Sequence, residues 1–191
     1  MKLVGVDEAG RGPIAGPVAV GAVCVPEEYP ILDIFPGLND SKKLSEKKRE
    51  ALFLILQEEI RKGGISATVC LSSAKMIDEK GIAYAVRHAL NRGVTKLLPD
   101  SKEGKVFLDG SLHAPEEYVQ ETVIGGDGTV PVIMLASIAA KVTRDRLMKK
   151  RAEEYPEYSF ETHKGYGTKA HYAALRAHGL CLEHRASFIH L

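Results

Sequence analysis

The stretch Lys2-Leu3-Val4-Gly5-Val6-Asp7-Glu8-Ala9-Gly10-Arg11-Gly12-Pro13 decides how the rest of the chain is read. An apolar run of strand composition leads into two adjacent acids. A turn holding one arginine follows, where Gly10, Gly12 and Pro13 end the run. Neighbouring residues on a strand point to opposite faces, so Asp7 and Glu8 share one site only if the strand ends or bends there. Acids at a strand tip, beside backbone that a ligand can approach closely, suit a hard cation and a phosphate. The alternative is a surface turn after an edge strand.

Outward from this stretch, residues 17–25 alternate small and β-branched side chains and read as a second strand, in a hairpin with the first. Residues 26–37 are rich in Pro and acid and read as a loop. A helix is predicted over 45–62, where Leu52, Ile55, Leu56 and Ile60 fall at helical spacing and Gly63-Gly64 stops it. A strand follows over 65–71, then helical sequence over 72–91 with a break at Gly81. A short apolar strand over 105–108 runs directly into Asp109-Gly110. Another over 118–124 is followed by Gly125-Gly126-Asp127-Gly128. A long helix over 132–154 is apolar almost all round from Ile133 to Ala140, which predicts burial, and becomes basic from Lys141 to Arg151. The tail holds the loop His163-Lys164-Gly165-Tyr166-Gly167-Thr168 and a short helix over 168–178, and no internal repeat or low-complexity linker interrupts the chain. Strands and helices alternate after the initial hairpin, so the class is α/β with a mixed sheet.

With 191 residues the chain is long enough to bury a core as one compact unit. The net charge of +1 is unevenly spread: from Lys141 onward there are ten Lys/Arg against six Asp/Glu, and before it sixteen against nineteen. Such a basic end suits a polyanion, or is simply a solvated helix face. Cys24, Cys70 and Cys181 form no C-x-x-C pair, which points away from a disulfide framework and from a cysteine zinc site. Asp7 and Glu8 fall where a signal peptide needs its apolar core, and no apolar run is long enough to span a bilayer. The sequence therefore leads us to expect a soluble, cytoplasmic protein with no membrane partner.

Three places share one design. Asp7-Glu8 ends a strand, Asp109-Gly110 ends a strand, and Asp127 sits just past one. Brought together, these acids would repel and raise one another's pKa values, and a bound divalent cation would remove that cost. Oxygen-only ligands point to Mg²⁺ or Mn²⁺ rather than zinc. Two such ions about 3.5–4 Å apart form a clamp for in-line attack on a phosphodiester. The alternative is that the acids never meet. Lys42 and Lys43 near a helix start either hold a phosphate or lie in a solvated turn. Lys141, Arg144 and Lys149 either line a groove or face water. Tyr166, between two glycines, either stacks on a sugar or base or packs in the core. No H-E-x-x-H spacing, nucleophile elbow or Walker lysine is present, and His163 and His184 are expected to be structural or solvent-facing. Gly125-Gly126-Asp127-Gly128-Thr129 matches the GGDGT signature of NAD and lipid kinases, but the large all-β domain that follows it there has no counterpart in the helical sequence behind it here.

Taken together, these residues resemble a family. Asp7-Glu8-Ala9-Gly10-Arg11-Gly12-Pro13 is similar to the opening signature of type 2 ribonucleases H, specifically bacterial ribonuclease HII. Asn39-Asp40-Ser41-Lys42-Lys43-Leu44, Asp109-Gly110, Ala136-Ser137-Ile138 with Ala140-Lys141-Val142-Thr143-Arg144-Asp145, the His163–Thr168 loop, and His184-Arg185 with Ser187-Phe188 match its later blocks in order. The resemblance implies an RNase H-like fold, a five-stranded mixed sheet flanked by helices (1–155) with a small helical C-terminal extension (156–191) in the same compact unit. It implies an endonuclease, working as a monomer on RNA/DNA hybrids and on ribonucleotide-containing duplex DNA, with cleavage 5′ to the ribonucleotide and a 3′-hydroxyl left behind. By position, Asp7, Glu8, Asp109 and Asp127 would be the catalytic metal ligands. Gly10, Arg11 and Gly12 would read the 2′-hydroxyl, Tyr166 would pack on the following deoxyribose, and Lys42, Ser137, Lys141 and Lys164 would contact phosphates. Gly128 stands where the family often has a small polar residue, and Met134-Leu135 where small residues are usual; neither touches an acid. The related ribonuclease HIII carries an extra N-terminal domain, so a chain starting at the acid-bearing strand fits HII better. A non-catalytic nucleic-acid module of the same fold is the alternative, and a GGDGT kinase a remote one.

Overall fold

The computed structural model describes residues 1–190; Leu191, the last residue of the expected extension, lies outside them. Five strands form one mixed sheet: β1 (Lys2–Ala9), β2 (Val18–Pro26), β3 (Ser66–Ser72), β4 (Gly104–Asp109) and β5 (Val119–Val123), in the order β3-β2-β1-β4-β5. β1 and β2 form the expected antiparallel hairpin, and β3 continues it on one side. On the other side β4 and then β5 run parallel to β1. The helices are α1 (Ile31–Ile34), α2 (Glu46–Arg61), α3 (Ala74–Lys80), α4 (Ile82–Leu97), α5 (Pro131–Glu154), α6 (Phe160–His163) and α7 (Lys169–His178).

Strand alternation sorts the core into two layers. Val4, Val6, Val106 and Leu108 face α3 and α4, packing with Ile77, Val86 and Leu90. Leu3 and Phe107 face the other way, towards α2 and α5. Residues Ile133 to Ala140 of α5 are all buried, as their composition predicted. At Gly5 a Cβ would lie 2.2 Å from the Val132 carbonyl oxygen, so β1 and α5 meet backbone to backbone. A third cluster, Ile14, Ala15, Met148, Tyr158, Phe160 and Leu175, packs the C-terminal segment onto the turn that follows β1.

Local chemistry fixes most boundaries. The side chains of Ser45, Ser73 and Thr168 accept hydrogen bonds from the third residue beyond, capping α2, α3 and α7. Gly81, at φ +83°, separates α3 from α4. The helix expected to stop near Asn91 runs on to Leu97, because Leu90, Val94 and Leu97 carry its apolar stripe past Gly93 into the core. The loop over 26–37 contains the single turn of α1.

Candidate active site

β1 and β4 run parallel with Val6 opposite Leu108, so Asp7 and Asp109 follow side by side and emerge on the α5 face. Asp127 arrives from a one-turn helix, Gly126–Gly128, between β5 and α5. The GGDGT segment is thus the turn that delivers an acid to the sheet. Its backbone amide at Asp127 donates to Asp109 Oδ1 at 3.2 Å. One carboxylate oxygen from each of Asp7, Asp109 and Asp127 lies within 4.8 Å of the other two. The three positions, spread over 120 residues of sequence, are brought to one place by the pairing of β1 with β4 and by the turn after β5.

Glu8 stands differently. β1 does not end at Asp7: Glu8 still pairs with Val20 and Ala9 with Ala19. The Glu8 carboxylate is not one of the three that converge, although Glu8 lines the adjoining cleft with Lys42 and Ser137. Its Oε1 lies 3.3 Å from Arg11 Nη1, while Oε2 is buried with no hydrogen-bond partner.

The electrostatics of the group ask for a cation. Asp7 is 4% exposed. Burial pushes its carboxyl up to about 7; the charges of Glu8 and Asp109 add to the rise, and the Ser137 hydroxyl and the Glu8 amide oppose it. Burial also raises Glu8, against the pull of Arg11. Among the described residues, the one ammonium touching the three acids is that of Lys42, which donates to Asp127 Oδ2 at 2.8 Å. A single exposed lysine against three clustered carboxylates leaves the site net negative. Hard oxygen donors, an orphaned buried carboxylate oxygen and a proton-hungry buried aspartate together fit a hard divalent cation such as Mg²⁺ or Mn²⁺.

The other expected contact residues divide. Gly10, Arg11, Gly12, Lys42, Lys141 and Tyr166 line one cleft of about 250 Å³ with Glu8. Tyr166 is 46% exposed, while its backbone is fastened by His163 and His171. Ser137 borders the cleft but is buried, with its hydroxyl 2.7 Å from that of Ser41. Lys141 pairs with Asp145 at 2.8 Å. Lys164 is turned away: its ammonium donates to the Glu161 carbonyl. Lys149 pairs with Glu46 on the surface.

Arg144 neither lines a groove as a free cation nor faces water. It is 1% exposed and donates to the carbonyls of Ala15, Pro17 and Lys164 at 2.9–3.1 Å. Arg185, fully buried, donates to the carbonyls of Gly10, Arg11 and Gly16 at 2.7–2.9 Å. Burial drives the Arg185 guanidinium down to about 9, and the neighbouring Arg144 adds to the fall. These two side chains tie the glycine turn to the Tyr166 loop. Gly10, at φ +91°, is irreplaceable there, since a Cβ would lie 2.0 Å from Arg144 Nε. The sequence signal was present only as the unexplained arginines of two motif blocks.

His163, His171 and His184 form a buried relay beneath the loop. His163 and His171 stack at 4.3 Å between centroids, and His171 Nε2 lies 3.0 Å from His184 Nε2. His184 Nδ1 accepts from the Cys181 amide and His171 Nδ1 donates to the Tyr166 carbonyl, which sets each ring's single proton. The histidines are structural, as expected for two of them.

Known proteins share this sequence pattern and fold. The sequence profile of the family Ribonuclease HII matches residues 4–191. A ribonuclease HII from Polaromonas sp. (strain JS666 / ATCC BAA-500) is 47% identical over 186 residues, covering 97% of this chain and 88% of that protein. The crystal structure of ribonuclease H2 from Pyrococcus horikoshii OT3 superposes with a TM-score of 0.75 at 28% identity, covering 98% of this chain and 93% of that one. Bst-RNase HIII, crystallised in complex with Mn²⁺, shares the fold at a TM-score of 0.73 and 17% identity, over 98% of this chain and 67% of its own. The chain belongs to the ribonuclease HII family, type 2 ribonucleases H that hydrolyse the RNA strand of RNA/DNA hybrids.

Proposed function

We propose that this ribonuclease H also incises duplex DNA 5′ to a single embedded ribonucleotide, leaving a 3′-hydroxyl, with Mg²⁺ or Mn²⁺ held by Asp7, Asp109 and Asp127 together with Glu8, which lines the adjoining cleft. The observation that carries this reading is the convergence of three carboxylates within 4.8 Å beside a glycine turn. A bound divalent cation supplies electrophilic stabilisation of the phosphodiester and a more acidic water. The chain's own contribution is positioning. Arg185 occupies the carbonyls of Gly10 and Arg11, so the turn offers a ligand its N–H groups. Those suit a ribose 2′-hydroxyl, the group that distinguishes RNA from DNA. Tyr166, exposed on a loop held from below, offers a flat face to the next sugar. Lys42 and Lys141 border the same cleft and suit its phosphates. Such work belongs with the chromosome in the cytoplasm, and among the described residues no helix is long and apolar enough to cross a membrane.

The test is incision of an end-labelled duplex carrying one ribonucleotide, with Mg²⁺ or Mn²⁺ present. Cutting 5′ to the ribonucleotide, lost in Asp109→Asn, is expected; full activity in that variant rejects the metal-ligand assignment. Tyr166→Ala should impair the single-ribonucleotide substrate more than a long hybrid, and equal losses on both remove the junction role from Tyr166.

A further inference from the structure

We propose that the outer face of α4 is a second nucleic-acid contact, a basic track for the phosphate backbone of duplex flanking the cut. This rests on the nuclease reading of the main cleft and extends it to a surface outside that cleft.

Helix α4 contains no Asp or Glu between Ile82 and Leu97, yet carries Arg87, His88, Arg92 and Lys96. Arg87, Arg92 and Lys96 are exposed, and among the described residues none of them pairs with a carboxylate. Elsewhere on the surface unpaired cations such as Lys47 and Lys150 also occur, but among the described residues no other helix of this length is free of acids while carrying three of them. Unpaired, like-signed charge along one helix is costly to keep unless an anion meets it.

The face is organised by helical spacing. Tyr84, His88, Arg92 and Lys96 fall four residues apart and form one ridge. The Tyr84 and His88 rings stack at 6.0 Å with an 8° interplanar angle, and Tyr84 is 41% exposed. Arg92 and Lys96 border one shallow depression with Asn91 and Thr95. Flat rings interleaved with cations suit a nucleic-acid strand.

The track joins the active-site region. A cleft of about 370 Å³ lies between α4 and the segment after β4, lined by Arg11, Arg87, Ser111 and His113 among others. Arg11 also lines the cleft that holds Glu8, Gly12 and Tyr166. Its side chain is therefore the bridge between the two, and Ser111 lies only two residues beyond Asp109. From Tyr84 to Lys96 the ridge rises about 18 Å, and its Tyr84 end adjoins Ala83, which lines the cleft beside α4. That matches about five base-pair steps of duplex at 3.4 Å each. The occupant with the right charge, length and continuity is the backbone of the duplex bound at the acids.

The experiment compares wild type with Arg92→Glu/Lys96→Glu on a 40-base-pair duplex holding one central ribonucleotide. A charge-matched control, Arg61→Glu/Lys62→Glu, alters the C-terminal end of α2 on the opposite face of the sheet. The α4 variant should raise KM about tenfold, with kcat within twofold. Its binding to plain duplex DNA should show a log Kd against log salt slope shallower by about 1.8, the loss of two phosphate contacts. The control should show neither change. Unchanged KM and slope overturn the track, and so does a fall in kcat with KM unchanged. Arg92→Gln/Lys96→Gln guards against misfolding and should give the same change in slope with a smaller rise in KM. If wild type fails to incise the ribonucleotide, the substrate reading falls, and the track is still judged by the salt slope on plain duplex.

Discussion

Two groups of buried like charge sit on either side of the Gly10 turn and are handled in opposite ways. Asp7, Asp109 and Asp127 converge with too little positive charge between them, and nearby Glu8 keeps an oxygen without any partner. Arg144 and Arg185 are buried more deeply, yet donate between them to six backbone carbonyls. The first group is incomplete without something from outside. The second is complete within the chain and spends its charge on holding two loops in place. A buried charge signals a ligand site only when its polar atoms are left over, and hydrogen-bond satisfaction tells the cases apart.

Substitutions can break this contrast at several strengths. The largest effect belongs to the acids: Asp109→Asn should lower hydrolysis about a thousandfold or more, some 4 kcal/mol of barrier. The same variant should melt no lower than wild type in chelator, because it relieves repulsion. A thermal melt beside a hydrolysis assay checks both, and a destabilised variant would move Asp109 into the structural class. Next comes Arg185→Leu, which leaves three carbonyls without donors and should cost about 3 kcal/mol in urea denaturation. A loss under ~1 kcal/mol would mean that water replaces the guanidinium and that the turn is held by other contacts.

The third effect is pH-dependent. The folded-state pKa of Asp7, about 7, lies above its ordinary value near 4, so its proton favours the folded, metal-free protein. That stabilisation is present in full below pH ~4 and is lost as pH rises through 7. Asp7→Asn, which needs no proton, should therefore be more stable than wild type at pH 8 in chelator. The gap should narrow by about 1.4 kcal/mol on going to pH 6. Burial also holds His171 down near 4, so this ring opposes folding as pH falls below 6.5, in both proteins alike. It cancels from the difference, and a gap independent of pH would show that Asp7 is ionised throughout. The smallest effect is Lys42→Ala. Its ammonium is largely exposed, so stability should move by under about 0.5 kcal/mol despite the contact with Asp127.

Much of this was legible in the chain because it is local. Strand composition ending in acid and glycine gave the positions of Asp7, Asp109 and Asp127, and an apolar octet gave the buried half of α5. What stayed hidden depends on distant partners. Whether β1 stops at Asp7 is settled by β2, which goes on pairing as far as Ala9, and the Glu8 carboxylate stays outside the group of three. Arg144 looks like any basic residue on a helix until Gly10 and the Ala15, Pro17 and Lys164 carbonyls close around it. His171 carries no spacing signal at all; its partners His163 and His184 are eight residues before and thirteen after it.

The contact at Gly5 has a wider consequence. Where main chain rests on main chain, the separation of strand and helix is set by peptide dimensions and not by which side chains fill the gap. Asp7 lies two residues along from that contact, and Asp127 just ahead of the helix that makes it. The spacing of the acids is thereby insulated from drift in the surrounding core. A frame built this way can exchange nearly three quarters of its residues, as the Pyrococcus horikoshii structure has at 28% identity, and keep its shape.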